Sequence, residues 1–309
     1  MEEQEFRSGK CPQCGHALKI PAELTKFSCM YCGARLTLDE LVTQEQPLPV
    51  DEAASAAFDD AVSQLAGCVT NWRGYQKKIT RNEFVSAFSA YEAGCSPVVQ
   101  LLNTAVCAAG GDQTALLSQA AERMLEELAA SWKENAKDRH LPDDDKIIVA
   151  IFFVPLVRKL CLPVSEEFVT ILQQRWVARY PKSPFYLGDY DSIANGFRKK
   201  FLGICFITTA VCQAEGKPDD CEELTAFRAF RDGYLRACPD GPALIDEYYN
   251  IAPGIVRCID LCSDASASYA AIREKYLAPC YDDIQHGRLE RCKARYVQMV
   301  RDLERQYLS

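Results

Sequence analysis

The stretch Asp112-Gln113-Thr114-Ala115-Leu116-Leu117-Ser118-Gln119-Ala120-Ala121-Glu122-Arg123-Met124-Leu125-Glu126-Glu127-Leu128-Ala129-Ala130-Ser131-Trp132 decides how this chain folds. Leu117, Ala120, Ala121, Met124, Leu125, Leu128 and Trp132 recur every three or four residues, the period that places side chains on one face of an α-helix. Asp112 stands where a short carboxylate can accept a bond from the unpaired N–H groups of a first turn. A helix of this length with one apolar face must bury that face, so it belongs to a helical core.

The same grammar extends outward. Ser165 reads as a cap, Glu166 and Glu167 suit the positive end of a helix, and Phe168, Ile171, Leu172 and Trp176 form its stripe. Arg175 and Arg179 fit its negative end, and Tyr180-Pro181 stops it. Two shorter helices are expected over 82–93 and 97–109, the second closed by Gly110-Gly111. Residues 147–157 are an apolar run containing Pro155 and ending on Arg158 and Lys159; they are too few for a bilayer core of about 30 Å and read as a buried helix. Asp143-Asp144-Asp145 and Asp219-Asp220 read as helix caps, and Tyr186 and Tyr190 as loop aromatics packed on the helices. No internal repeat is present.

The amino terminus is of another kind. Cys11-Pro12-Gln13-Cys14-Gly15 and Cys29-Met30-Tyr31-Cys32-Gly33 are two knuckles whose paired cysteines can point at one ion around a tight turn. Gly15 and Gly33 can take the positive φ that such a turn ends on. The expected module is a β zinc ribbon, with residues 17–21 returning through 26–29 as a hairpin and 35–38 as a third strand. About forty residues bury too little apolar surface to fold on packing alone, so one structural Zn2+ on Cys11, Cys14, Cys29 and Cys32 is expected to hold it. His16 reads as a surface residue, since four thiolates already complete the tetrahedron.

The fold class expected is therefore mainly α: a small β zinc ribbon at the N-terminus followed by a large multi-helix body. The boundaries are 1–42 for the ribbon, 43–51 for a polar linker with two prolines, 52–200 for a helical domain and 201–309 for a second one, the last two able to pack as one body. At 309 residues and 48% hydrophobic content the chain can fill such cores.

Charge and cysteine usage bound the setting. Met1-Glu2-Glu3-Gln4-Glu5 is acidic where an export signal is basic and then apolar, so the expected location is cytoplasmic. Sixteen cysteines there read as reduced thiols. The formal charge is −8, and residues 1–42 carry five Lys or Arg against six Asp or Glu. A phosphate-binding ribbon needs a basic face, so nucleic acid is disfavoured, a protein partner is favoured, and no segment suits a membrane. Lys77-Lys78 with Arg81, Arg198-Lys199-Lys200, and Arg288, Arg291, Lys293 and Arg295 read as solvated helix faces. The three histidines, His16, His140 and His286, sit in no catalytic motif, and no phosphate-binding loop is present.

Gly203-Ile204-Cys205-Phe206-Ile207-Thr208-Thr209-Ala210-Val211-Cys212 resembles the signature of the bacterial CFI-box carboxy-terminal domain family. The likeness continues through residues 224–235, Gly241, Tyr248-Tyr249 and Ala252-Pro253-Gly254, covering about a third of the chain. Where the common family form continues into a Tyr-Gly-Ser turn, Cys212-Gln213-Ala214 stands here, which marks a cysteine-richer branch. The resemblance implies architecture and brings no reaction with it.

Read directly, the box is rich in β-branched residues that favour a strand, yet its setting among helices makes it a buried helix. Cys205 and Cys212 would then share a face, with Thr208 and Thr209 free to bond carbonyls one turn back. A second helix is expected to start at residues 218–220, carry the stripe Leu224, Phe227, Phe230, Tyr234 and Leu235, and end at 238–242. Three readings of the later thiols stand. Cys205, Cys212, Cys221, Cys258, Cys262, Cys280 and Cys292 are small buried hydrophobes; or Cys205, Cys212 or Cys221 is a redox or nucleophilic thiol; or Cys258 and Cys262 start a second metal site. The function expected is that of a zinc-binding, non-enzymatic interaction or scaffold protein. The alternatives are a nucleic-acid-binding ribbon and a thiol-dependent enzyme or redox sensor.

Overall fold

Two short hairpins begin the chain. In the computed structural model, which describes residues 6–13, 17–21, 24–30, 32–37, 52–109, 112–198 and 205–308, β1 (Phe6–Lys10) pairs antiparallel with β2 (Ala17–Pro21) and β3 (Lys26–Ser28) with β4 (Arg35–Thr37). Phe6 lies opposite Pro21 and Lys26 opposite Thr37. The expected pairing of 17–21 with 26–29 is thus corrected: those strands exist, but each pairs across its own knuckle, and β1 precedes them. The reason is local, because a Cys-x-x-Cys turn reverses the chain within a few residues and brings its flanking strands together. Cys11, Leu18, Ile20, Cys29 and Leu36 form a small core, with Phe27 and Ala34 against it. The expected linker 43–51 lies outside the described residues.

The body begins with α1 (Glu52–Leu65), α2 (Gly67–Thr70), α3 (Phe84–Ala108) and α4 (Gln113–Glu134). It continues through α5 (Leu141–Ile148), α6 (Val154–Lys159), α7 (Ser165–Arg179), α8 (Tyr190–Arg198) and α9 (Phe206–Ala214). It ends with α10 (Glu222–Ala229), α11 (Gly241–Leu261), α12 (Ala265–Ile272), α13 (Ala278–Gln285) and α14 (Leu289–Tyr307). Buried side chains from Phe58 to Leu308 make one contiguous core. No helix among the described residues is long and apolar enough to cross a membrane.

α4 forms as its sequence dictates: Asp112 Oδ1 accepts from Ala115 N–H at 3.2 Å, and Leu117 through Leu128 on the stripe are buried. α7 buries Phe168, Ile171, Leu172 and Trp176, but Ser165 is its first helical residue and not its cap. The Ser165 hydroxyl instead donates to Val157 O at 2.6 Å. The helices expected over 82–93 and 97–109 are one continuous helix, α3, with Pro97 inside it. An interior proline costs about 3 kcal/mol or more; burial of Tyr91, Cys95, Val99, Leu102 and Val106 on both sides of it offsets that cost.

Three π-helical turns interrupt the body, at Val149–Phe153, Phe230–Leu235 and Arg273–Leu277. Each closes with an N–H that bonds the carbonyl five residues back: Val154 to Val149, Arg236 to Arg231, Ala278 to Arg273. The first and third run directly into Pro155 and Pro279, whose rings would clash with a carbonyl four residues back. The widened turn relieves that clash. The second turn, which carries Arg231, does not run directly into a proline; Pro239 comes only after the following Arg236-Ala237-Cys238.

The start and the end of the body are locked together. Arg81 N–H donates to Asn250 O at 2.9 Å, and Asn82 N–H to Asn250 Oδ1 at 3.0 Å. Gly254 of α11 sits so close to Ile79 that a Cβ there would meet the Ile79 carbonyl oxygen at 1.8 Å.

Candidate metal centre and a thiol-lined cleft

Cys11 leaves β1 and Cys29 leaves β3, so the two hairpins deliver their first cysteines to one place. The Sγ atoms of Cys11, Cys29 and Cys32 all lie within 4.8 Å of one another, with Cys11 and Cys29 buried and Cys32 exposed. Cys11 Sγ and Cys32 Sγ are 3.8 Å apart. A tetrahedron with metal–sulfur bonds of about 2.3 Å has edges of about 3.8 Å, whereas a disulfide needs about 2.0 Å. The second knuckle is shaped by the backbone: Cys29 N–H donates to Ala34 O and Gly33 N–H to Cys29 O, both at 2.8 Å, and Gly33 takes φ 76°. This group can hold a metal ion. Cys14, Gly15 and His16 lie outside the described residues.

Cys212 is brought to Cys221, whereas Cys205 is held by Arg231. The box helix exists and starts at Phe206, so Cys205 stands at its amino end. Thr208 and Thr209 do not bond back one turn. The Thr208 hydroxyl pairs with Tyr296 Oη at 3.1 Å, and Thr209 Oγ1 is buried without a partner. Cys212, in the last turn of α9, touches the half-exposed Cys221 at the start of α10. Burial, then the charge and hydrogen bond of Cys221, push the Cys212 thiol up to about 12. Cys68 with Cys95, and Cys280 with Cys292, make similar thiol contacts in the core. Cys262 Sγ bonds Cys258 O at 3.2 Å. The group on Cys11, Cys29 and Cys32 is the one metal-capable cluster found among the described residues.

Cys205 lines a different feature. A small apolar cleft lies between the second π-turn, α11 and α14. Phe227, Phe230, Leu235, Leu244, Val297 and Val300 give it its apolar lining. Its polar lining comes from Cys205, Arg231, Glu247, Arg301 and the two tyrosines Tyr248 and Tyr296. Arg231 is 6% exposed, and Asp232 holds it through Nε to Oδ1 at 2.9 Å and Nη2 to Oδ2 at 2.6 Å. Its Nη1 donates to Tyr249 Oη at 3.1 Å and to Cys205 Sγ at 3.4 Å. Tyr248 Oη accepts from Ile207 N–H at 2.9 Å, which fixes the start of α9 beside the cleft. Burial pushes the Cys205 thiol up, while Arg231 and Arg228 pull it the other way without cancelling the rise.

Sequence reading did not single out Arg231 as a buried charge. The clue was available: Leu224, Phe227, Arg231 and Leu235 share a stripe, and a lone cation on a stripe otherwise buried needs a partner. Two further expectations are corrected. Arg288, Arg291 and Arg295 are no merely solvated face, for they converge on the fully buried Asp283 at 2.8, 3.3 and 3.2 Å, and Lys293 pairs with Asp240 at 2.6 Å. Burial pushes the Asp283 carboxyl up, and the Arg288 hydrogen bond with the charges of Arg291 and Arg295 holds it below the usual range. Asp145 is no cap: it is buried within α5 and accepts from Arg73 Nη2 at 2.7 Å and Trp132 Nε1 at 2.8 Å. Its neighbour Asp144 borders a polar hollow with Asp138, His140, Asp143 and Cys262. Tyr186 is exposed, whereas Tyr190 packs on Phe88 with ring centroids 4.5 Å apart.

Comparison with family models, with curated proteins and with solved structures returns no match to this chain.

Proposed function

We propose that this chain is a zinc-ribbon protein whose large helical body serves as a protein-interaction scaffold. The observation that carries the reading is the set of three sulfurs, Cys11, Cys29 and Cys32, with a 3.8 Å separation that suits tetrahedral thiolate coordination. Cys14 is the fourth ligand by its spacing from Cys11. Zinc is favoured over other ions because an all-thiolate set closes the coordination sphere and leaves no open position, the pattern of a structural site. When bound, the ion cross-links the two hairpins, whose few buried apolar residues make a weak core alone. A protein partner is favoured over nucleic acid by the acidic chain and the near-neutral ribbon. The CFI-box likeness of the carboxy-terminal third and a cytoplasmic, reducing setting belong to the same reading.

Elemental analysis of the purified protein is the test. One zinc per chain is expected, falling to below about a tenth of that in Cys29→Ser at unchanged helical content. A folded wild-type protein free of zinc, or a Cys29→Ser variant that keeps its zinc, would sink the metal assignment. Affinity capture from the native host with wild type and Cys29→Ser in parallel tests the scaffold role: a partner lost with the metal supports it, and no enriched protein with either form counts against it.

A further inference from the structure

The connection between α9 and α10 brings two thiols together. Cys212 O accepts from Lys217 N–H at 2.9 Å, Gln213 O accepts from Gly216 N–H at 2.9 Å, and Gly216 takes φ 71°, the left-handed turn with which a helix reverses its chain. Cys221, nine positions after Cys212, then stands at the amino end of α10, its carbonyl accepting from Thr225 N–H at 3.0 Å. Charge pins the loop. Lys217 Nζ reaches Glu223 at 2.7 Å and Glu215 at 3.0 Å, and Arg273 of the third π-turn reaches the same two carboxylates at 3.0 and 2.6 Å. Within this frame the Cys212 and Cys221 thiols are in contact.

Exposure separates this thiol contact from the other two in the body. Cys68 with Cys95 and Cys280 with Cys292 are each at most 2% exposed, so no solute reaches either pair in the folded protein. Cys221 is half-exposed, whereas Cys212 is 1% exposed. The pair therefore has one thiol that a dissolved reagent can meet and one that Cys221 screens. Of the four carboxylates that flank Cys221 in sequence, Asp219 is paired with Arg228 at 2.9 Å and Glu223 with Lys217 and Arg273, so half of the negative charge that would hold back a thiolate is cancelled.

We propose that Cys212 and Cys221 are a reversible disulfide site, oxidised by small-molecule disulfides. The Cys221 sulfur attacks one sulfur of the reagent: a mixed disulfide forms, the reagent's S–S bond breaks, and its other half leaves as a thiol with the Cys221 proton. The Cys212 sulfur then attacks the Cys221 sulfur, the bond between them forms, and the second reagent thiol departs with the Cys212 proton. Two protein thiols lose two electrons, and one reagent disulfide is reduced to two thiols. The order follows from the structure, since the buried Cys212 thiol, pushed up to about 12, holds its proton more tightly and meets the reagent last. In a reducing compartment such bonds are transient and redox-sensing. This one ties the last turn of α9 to the first of α10 beside Arg273. The reading is independent of the zinc ribbon.

The experiment uses the full chain at neutral pH with glutathione disulfide as the probe, followed by alkylation and peptide mass mapping. The expected product is a disulfide between Cys212 and Cys221, reversed by dithiothreitol, while Cys68, Cys95, Cys280 and Cys292 stay thiols. The exposed Cys107 and Cys161, which make no thiol contact among the described residues, should stop at the glutathione adduct. Cys212→Ser should trap that adduct on Cys221 at a level at least about tenfold above wild type, because a thiol held in contact competes at an effective concentration that no dissolved thiol matches. Four results would each overturn the assignment: a stable adduct on Cys221 of the wild type without the disulfide, a disulfide from either thiol to another cysteine, equally fast oxidation of the two buried pairs, or an unmodified Cys221 where Cys107 and Cys161 have reacted. The disulfide itself is read in the wild-type protein, so the outcome does not depend on how the variant folds.

Discussion

At the scale of single residues, the charges inside the body matter more than their number. Burial is the main reason that Asp144 is pushed up to about 6 from an ordinary 3.8, helped by Asp138 and opposed by His140. The folded state therefore holds this proton more tightly than the unfolded chain does. Stability contributed by Asp144 is full below about pH 4, falls as pH rises through the window from 3.8 to about 6, and stays low above it. Asp144→Asn removes that loss. Thermal melts of variant and wild type should nearly coincide at pH 4, and the variant should melt higher at pH 7; an advantage independent of pH would refute the account. Neither Asp144 nor Asp145 could be placed from sequence, because three adjacent aspartates look alike until Arg73, 72 residues from Asp145, selects one of them. Cys11, Cys29 and Cys32 were legible as a metal-capable group for the opposite reason, since spacing within a few residues marks each knuckle.

Among the elements, periodicity was read most securely where the chain is strictly amphipathic, as in α4 and α7. It failed where packing overrode a local rule. Pro97 suggested a break that α3 does not have. The box, expected as a buried helix against its β-branched propensity, is α9, with Ile207, Thr208, Val211 and Cys212 buried. The strand pairing of the ribbon was misread because strands carry no mark of their partner. Helix contact geometry was equally hidden, and Gly254 shows its weight. Gly254→Ala should destabilise the protein by at least about 2 kcal/mol in urea titrations, because backbone and not a flexible side chain blocks the new methyl. Gly233→Ala is the control: its Cβ meets nothing within 4 Å, and its stability should be unchanged or raised by up to about 1 kcal/mol. A loss at Gly233 as large as at Gly254 would refute the Ile79 contact as the cause, since helix propensity alone favours alanine over glycine.

Over the whole molecule, two cores share no buried residue, one of the ribbon and one of the body. Stripping the metal with a chelator should unfold the hairpins yet leave the helical circular dichroism and the main melting transition within roughly 2 °C of the untreated protein. A collapse of helical signal on chelation would show that the body depends on the ribbon. The division into a β ribbon and a helical body was legible from composition and cysteine spacing. The contiguity of the body's core was not, because contacts such as Asn250 on Arg81 join residues far apart in sequence. That contact has a consequence for biosynthesis. The Ile79 carbonyl cannot meet Gly254 until the ribosome has delivered a further 175 residues, which takes on the order of ten to thirty-five seconds. Through that interval α1 to α4 leave the exit tunnel with part of their apolar surface uncovered, the state in which a chain is most exposed to aggregation.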